Sequence, residues 1–218
     1  MKNIISGLKA VIFDLDGVIV DTMPFHASAW QKTFKKFGIN VSKKEIYLRE
    51  GEKWDKTFYD IMRKNGFKIT AQIKRAVFKH RENVFKNMLK VRLFKDAPEL
   101  IRCLKKKGYK LALVTGTPRK EVKRILPKRL YNLFDAIVPS DEVRHGKPHP
   151  EPYKKALKKL KIAPSEAIVI ENAPNGILAA KRANIKVIAV ETSLSRHYLK
   201  DADIVLNSLS RINCSISS

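Results

Sequence analysis

Two aspartates one residue apart, Asp14 and Asp16, stand directly after the apolar run at residues 11–13 and directly before Gly17. A short apolar run that contains β-branched residues is typical of a buried strand. Open α/β sheets place their ligands at the carboxyl ends of such strands, so both carboxylates are candidates for chemistry. One of them could act as a nucleophile while the other moves a proton.

Two later segments also place polar residues where an apolar run ends. Thr115, Gly116 and Thr117 follow one run, and two hydroxyls with a glycine amide before a helix start suit a phosphate oxygen. Glu171 and Asn172 follow another run and offer the hard oxygen ligands that Mg²⁺ prefers. The sequence therefore predicts a phosphate site and a magnesium site beside the two aspartates.

Lys147 lies between Gly146 and Pro148 in a proline-bounded loop, where a fixed ammonium group could offset phosphate charge and keep a nucleophile ionised. Each motif also has a plainer interpretation: residues 14–17 could be a turn, Thr115 a helix cap and Lys147 one lysine among many. Considered singly, Thr115 and Lys147 favour that plainer interpretation. Considered together, four polar endings in one predicted sheet favour a shared site.

The elements that must position these residues alternate along most of the chain. Helical spacing of apolar residues dominates residues 24–89, and short apolar runs typical of buried strands recur elsewhere, near residues 9–13, 111–114, 136–138, 167–170, 187–190 and 204–206. This pattern predicts an α/β fold with a Rossmann-like doubly wound parallel sheet and an inserted all-helical cap. The expected cap is residues 23–89, and the expected core is residues 1–22 and 90–218. At the start of the helix after the cap, Asp96 and Glu99 have the spacing of a capping box.

Several polar residues at the start of the cap or within it are candidates for substrate contact: Thr22, His26, Arg49, Lys79, His80 and Arg81. His26 precedes Trp30 by four residues, so the two share a helix face that is aimed either at packing or at the crevice near Asp16. His80 falls on an apolar stripe, and packing is at least as good an interpretation for it. For the charged candidates the default interpretation is a solvated surface.

The chain has 218 residues, of which 45 are Lys or Arg and 21 are Asp or Glu, giving a formal net charge of +24. The lysines are spread over many helix patterns without glycine or aromatic residues between them, which favours a solvated surface over a nucleic-acid interface. A positive field would also gather small phosphorylated anions. We expect a phosphorylated metabolite as the partner, and a monomer or weak dimer.

No apolar run approaches the roughly 20 residues of a membrane span, and the first nine residues lack the apolar core of a signal peptide. The sequence therefore predicts a cytoplasmic protein without a membrane partner. Cys103 lies in an apolar helix pattern and Cys214 in a polar tail. We expect one buried thiol and one incidental thiol rather than a disulfide or a metal site.

These motifs resemble, in this order, the four motifs of the haloacid dehalogenase superfamily: Asp-Leu-Asp-Gly-Val-Ile at residues 14–19, Thr115, Lys147 and Glu171-Asn172. The resemblance covers nearly the whole chain. Asp21-Thr22 with His26, Ala29 and Trp30 further resembles the helical-cap subgroup that contains β-phosphoglucomutase and many sugar-phosphate and phosphoglycolate phosphatases.

The resemblance implies that Asp14 takes the phosphoryl group and that Asp16 is the acid/base. It implies phosphate binding by Lys147 and residues 115–117, and Mg²⁺ binding by Asp14, the backbone carbonyl of Asp16, Glu171 and Asn172. The superfamily usually has aspartate where Asn172 stands, and a neutral amide gives Mg²⁺ less charge compensation.

Three functions differ in what receives the phosphoryl group or in whether one is transferred. A phosphatase gives the group to water, which needs no second substrate site, and this hypothesis is preferred. A mutase must hold a phosphohexose and return the group to another hydroxyl. A nucleic-acid-binding protein on an inactive scaffold would instead bind DNA with a steep salt dependence.

Overall fold

The computed structural model describes residue 5, residues 7–212 and residue 214. Within these residues, one sheet of parallel strands contains β1 (Ala10–Phe13), β2 (Lys110–Val114), β3 (Ala136–Val138), β4 (Ala167–Glu171), β5 (Lys186–Val190) and β6 (Ile204–Leu206). The strand order is β3-β2-β1-β4-β5-β6. This is the order of the doubly wound Rossmann fold, so the predicted fold class is confirmed.

The central position of β1 determines what lies beside its carboxyl end. Phe13 is in register with Leu113 of β2 on one side and with Ile170 of β4 on the other. The segments that follow β1, β2 and β4 therefore meet at one edge of the sheet. That edge is where the sequence predicts the site.

The helices of the chain cover both faces of this sheet or form a separate block between β1 and β2. In chain order they are α1 (Met23–Lys35), α2 (Lys43–Leu48), α3 (Trp54–Lys64), α4 (Ala71–Met88), α5 (Ala97–Lys106), α6 (Arg119–Ile125), α7 (Lys128–Tyr131), α8 (Glu151–Leu160) and α9 (Pro174–Arg182). Short 3₁₀ turns lie at 140–142, 164–166, 196–199 and 209–211.

Alternation along β1 explains the two apolar layers. Val11 and Phe13 pack into the layer that contains Leu104 of α5, whereas Ile12 packs into the opposite layer with Tyr153 of α8. Each of these side chains is fully buried, which stabilises the fold by roughly 1.5–3 kcal/mol for a large apolar side chain. The sheet edge is thereby a rigid support for the residues that follow it.

The helices between β1 and β2 have an apolar core of their own, formed by residues such as Trp30 and Phe34 of α1, Phe58 of α3 and Val77 of α4. Two chain segments connect this helical block to the sheet, and they pair with each other: the Asp21 amide donates to the Arg92 carbonyl at 2.8 Å. The predicted limits of a cap at residues 23–89 stay a prediction.

The start of α5 differs from its prediction. Asp96 precedes the helix, but its side chain makes no capping hydrogen bond, so the predicted capping box is wrong. Its carboxylate instead accepts a hydrogen bond from the Ser208 hydroxyl at 2.9 Å. A contact 112 residues away along the chain thus replaces the local one.

The expectation of two free thiols is also wrong. Cys103 of α5 and Cys214 form a disulfide across 111 residues of sequence. Sequence spacing did not indicate the pair because packing of the C-terminal segment against α5 brings the two together.

Among the described residues, no helix combines the length and the apolar character that crossing a membrane requires.

Candidate active site

The end of β1 places Asp14 at the middle of a buried charged cluster. The Lys147 ammonium donates to Asp14 Oδ1 at 2.5 Å, to Glu171 Oε1 at 2.6 Å and to the Val114 carbonyl at 3.2 Å. These contacts use all three of its donors, so a phosphate contact would require Lys147 to release one of them. The side chain is only 2% exposed.

Burial shapes the titration of this cluster. It opposes the charge of Lys147, but the Asp14 and Glu171 carboxylates outweigh it and hold the pKa of the ammonium above its ordinary value. Burial also raises the pKa of Asp14, and the single Lys147 charge does not compensate because Glu171 and Asp16 add to the rise. The cluster is short of positive charge.

Asp16 has the opposite environment. Its Oδ1 accepts hydrogen bonds from the Thr22 hydroxyl and from His26 Nε2, the latter at 3.2 Å. Its Oδ2 accepts from the hydroxyls of Thr117 at 2.8 Å and Thr115 at 3.3 Å. Burial opposes the charge, but His26 and the hydroxyl donors outweigh it and lower the pKa of Asp16 to about 2.

The third strand end, after β4, holds Glu171 and Asn172. Glu171 Oε1 also accepts a hydrogen bond from the Tyr153 hydroxyl at 2.9 Å, and Glu171 Oε2 accepts one from the backbone N–H of Asn172 at 2.9 Å. Asn172 Nδ2 donates to Glu50 Oε2 at 2.9 Å and to Ser193 Oγ at 3.1 Å. Its Oδ1 is buried and has no partner among the described residues.

A loop of the helical block closes over these strand ends. A Cβ on Gly116 would lie 3.0 Å from the Gly51 carbonyl oxygen, and a Cβ on Gly51 would lie 2.7 Å from Lys147 Cδ. The loop also places Lys53 Nζ 2.8 Å from the Val143 carbonyl. Glycine at positions 51 and 116 is what allows this close approach.

The loop and the strand ends enclose a cavity of about 50 Å³. Asp14, Asp16 and Gly116 line it from the sheet side, and the helical block contributes residues that include His26, Arg49, Glu50 and Trp54.

The family model of the haloacid dehalogenase-like hydrolases matches residues 11–190 of the chain. The match therefore includes all of the strand ends that form the site. The chain belongs to the haloacid dehalogenase-like hydrolase family.

Members of this family that resemble the chain are named for different reactions. A phosphorylated carbohydrates phosphatase of Thermotoga maritima is 32% identical over 190 residues, which cover 83% of this chain and 84% of that protein. A pyrophosphatase PpaX of Bacillus cereus is 31% identical over 208 residues, which cover 93% of this chain and 94% of that protein. The solved β-phosphoglucomutase of Clostridium difficile superposes with a TM-score of 0.80 at 25% identity, over 94% of this chain and 93% of that one.

The residues that the sequence suggested for substrate contact differ in how they lie relative to the cavity. His26 lines the cavity, stacks on Phe85 with ring centroids 4.3 Å apart, and faces Asp16, so it both packs and reaches the crevice. Thr22 is fully buried and donates to Asp16. Arg49 lines the cavity but is paired with Asp60 at 3.0 Å and Glu52 at 3.3 Å.

The other three candidates do not line the cavity. The default expectation of a solvated surface is wrong for Arg81, which is fully buried. Its guanidinium lies 3.5 Å above the Trp54 ring centroid, and its Nη2 contacts His26 Nδ1 at 2.5 Å. His80 is half-buried and contacts the Thr33 hydroxyl at 3.1 Å, and Lys79 is exposed.

Sequence reasoning missed Glu50. This carboxylate is 7% exposed, and its Oε1 lies buried without a partner among the described residues. Burial, together with the nearby Asp14 charge, raises the pKa of Glu50 well above its ordinary value. In the sequence it is one of several charges beside Gly51, and only that glycine hinted at a close backbone approach.

Proposed function

We propose that this protein is a phosphatase that transfers the phosphoryl group of a small phosphate monoester first to Asp14 and then to water. The observation that carries the proposal is the placement of two buried carboxylates in one enclosed cavity: Asp14 is held by Lys147, and Asp16 is held by hydroxyls and His26. One carboxylate can attack phosphorus while the other handles protons.

The reaction has two steps. An Asp14 oxygen forms a bond to phosphorus as the bond from phosphorus to the ester oxygen breaks, and Asp16 gives its proton to the leaving oxygen. A water molecule then attacks the aspartyl-phosphate, Asp16 takes a proton from it, and the bond between phosphorus and Asp14 breaks. The products are an alcohol and inorganic phosphate, and both aspartates return to their starting states.

The residues around Asp14 fit a divalent cation, for which we propose Mg²⁺. The carboxylates of Asp14, Asp16, Glu50 and Glu171 lie near one another, and the Lys147 ammonium pairs with only two of them, Asp14 and Glu171. The buried Oε1 of Glu50 and Oδ1 of Asn172 lack partners among the described residues. We propose that Asp14, the Asp16 carbonyl, Glu171, Asn172 and Glu50 would hold the ion. When bound, it would offset charge between the nucleophile and the phosphate.

The titration of the two aspartates supports a role for the ion and the substrate. Our mechanism needs Asp14 ionised and Asp16 protonated, whereas the surrounding residues alone favour the reverse order. A cation beside Asp14 lowers its pKa, and a phosphate anion beside Asp16 raises that of Asp16. Binding of both would therefore favour the ionised Asp14 and the protonated Asp16 that the mechanism needs.

The similarity to named phosphatases supports a phosphatase over a mutase, since the chain is 32% identical to a phosphorylated carbohydrates phosphatase. A phosphatase also needs only water as the second acceptor, whereas a mutase must hold a phosphohexose and return the group to another hydroxyl. The similarity to a β-phosphoglucomutase keeps the mutase as the second candidate. The cytoplasmic location, the monomeric or weakly dimeric state and the absence of a nucleic-acid partner stay predictions.

The test is hydrolysis of an aryl phosphate and of a panel of sugar phosphates, with Mg²⁺ and with a chelator. We expect phosphate release only with the metal, and we expect Asp14→Asn to reduce turnover by roughly 10³-fold or more while the fold stays intact. Asp21→Asn, which changes a nearby aspartate that is outside the cluster, should retain activity. Wild-type turnover by Asp14→Asn would refute the proposal, and isomerisation of a phosphohexose without phosphate release would favour the mutase.

A further inference from the structure

A second group of potential metal ligands lies on the surface, in the loop that carries Lys147. His145, His149 and Glu151 each offer a ligand atom, and these atoms all lie within 4.8 Å of one another. Among the residues that the structure describes, this is the sole group of three His, Cys, Asp or Glu side chains found in such an arrangement. It is separate from the proposed Mg²⁺ ligands.

The spacing of these atoms is close to that of a metal site. His145 Nδ1 lies 3.0 Å from Glu151 Oε2, and the two imidazole centroids are 4.6 Å apart. Bonds of about 2.0–2.2 Å to Zn²⁺ in tetrahedral geometry place neighbouring ligand atoms roughly 3.4 Å apart. Small rotations of two exposed side chains would therefore create three corners of a tetrahedron, with water at the fourth.

The carboxylate of this group is already oriented. Glu151 is the first residue of α8, and its two oxygens accept hydrogen bonds from the backbone amides of Arg144 at 2.7 Å and His145 at 2.8 Å. Hydrogen bonds of this kind fix the direction of a metal-binding carboxylate. His149 Nδ1 is 3.2 Å from the Glu151 amide, so the loop holds its ring next to the carboxylate.

We propose that His145, His149 and Glu151 bind a late first-row divalent metal ion, with Zn²⁺ as the probe. Two imidazoles and one carboxylate suit Zn²⁺, whereas Mg²⁺ prefers an all-oxygen environment. The two histidines flank Lys147 in sequence, so the ion would join both sides of the loop that supplies this ammonium to Asp14. It would therefore stabilise that loop.

Calorimetric titration of the full chain, without an affinity tag and in saturating Mg²⁺, tests the site with Zn²⁺ alone as the added ligand. We expect the double variant His145→Ala/His149→Ala to lose one equivalent of Zn²⁺, or to bind that equivalent roughly ten-fold or more weakly. His197→Ala, which removes another exposed histidine, should bind Zn²⁺ like the wild type. Zn²⁺ bound near Asp14 is common to the wild type and the double variant, so the difference between the two proteins reports on this site, and saturating Mg²⁺ lowers the common background.

Thermal unfolding provides a second readout that does not depend on activity. Zn²⁺ at about one hundred times its Kd should raise the unfolding temperature of the wild type and of His197→Ala by roughly 5–10 °C. The double variant should lack this rise and still respond to Mg²⁺. Equal Zn²⁺ stoichiometry and affinity in the wild type and the double variant would overturn the proposal, as would the absence of Zn²⁺ binding to the wild type.

Discussion

At the scale of single residues, Asp14 and Asp16 have the same carboxylate but opposite surroundings. Asp14 lies near other carboxylates, whose charge only the Lys147 ammonium offsets. Asp16 instead receives hydrogen bonds from hydroxyls and from His26. Their pKa values are therefore pushed apart, which is the condition for giving one a nucleophilic role and the other a proton-transfer role. The ligands of the working site then decide which of them is protonated.

His26 should position the Asp16 carboxyl through the hydrogen bond to Oδ1, and this position should matter most when the leaving group needs a proton. We predict that His26→Ala lowers kcat/KM for an alkyl phosphate by roughly ten-fold or more and lowers it less for a nitrophenyl phosphate, whose leaving oxygen is stable without a proton. The kcat/KM values of the wild type and the variant for the two esters test this prediction. His80→Ala, a histidine variant away from the cavity, should leave both unchanged. Equal losses for the two esters would indicate a role in packing against Phe85.

Asn172 determines how much negative charge faces the proposed cation. We predict that Asn172→Asp lowers the Mg²⁺ concentration for half-maximal activity, because a second charge strengthens the attraction, and lowers stability without metal, because the Glu50 carboxylate lies where the amide now donates. Metal titrations and unfolding temperatures check both effects.

The matched change is Asn175→Asp. It adds the same charge three positions later, where the amide donates to the Leu48 carbonyl at 3.0 Å. It should leave the metal requirement unaltered. An unchanged or higher Mg²⁺ requirement in Asn172→Asp would contradict the assignment of Asn172 as a ligand.

At the scale of secondary-structure elements, the sheet edge could be predicted and the cap contacts could not. Asp14, Thr115 and Glu171 each follow an apolar run, so a local signal identified them and parallel pairing brought them together. Glu50 and Arg81 carry no such signal, because their burial depends on how the helical block lies against the sheet. The wrong capping box at Asp96 has the same origin, since Ser208 competes for its carboxylate.

The loop at Gly51 couples the helical block to Lys147. Gly51 has φ +81° and Gly66 has φ +76°, so an alanine at either position should cost about 1–2 kcal/mol of stability. Only at Gly51 does the new Cβ meet Lys147, whereas nothing lies within 4 Å at Gly66. We predict that Gly51→Ala reduces kcat/KM by roughly 10²-fold, as expected when a group moves about 1 Å, and that Gly66→Ala does not. Kinetics and denaturant unfolding separate the two effects, and equal activities would refute the coupling.

The contact between α6 and the helical block includes a buried carboxyl group with too few hydrogen bonds. Glu121 is buried, its Oε1 lacks a partner among the described residues, and burial raises its pKa despite the attraction of His26 and Arg81. A carboxyl with a raised folded pKa binds its proton more tightly when folded, so stability falls as pH rises through and above the unfolded value of about 4.5. Glu121→Gln should therefore increase stability at pH 7 and flatten its dependence between pH 4 and 7. Unfolding free energies across that range check the sign, and a less stable variant at pH 7 would refute it.

At the scale of the whole molecule, the net charge of +24 understates the positive charge of the surface. Among the described residues, six acidic side chains but only two lysine or arginine side chains are buried. A larger fraction of the lysines and arginines than of the aspartates and glutamates therefore remains at the surface. Such a field concentrates small anions near the protein and is screened by salt, with a Debye length of about 10 Å at 0.1 M.

We predict that kcat/KM for a dianionic phosphate ester falls roughly ten-fold as monovalent salt rises from about 0.02 M to about 0.3 M at constant Mg²⁺. The turnover number at saturating substrate should change less than two-fold, because the field acts on capture of the anion and the buried cluster is shielded from solvent ions. Initial rates over a substrate range, repeated with chloride and with acetate, separate screening from competition by one particular anion. A kcat/KM that is independent of salt would mean that the basic surface does not assist substrate capture. Steep salt-dependent retention on DNA would then favour a polyanion as its partner.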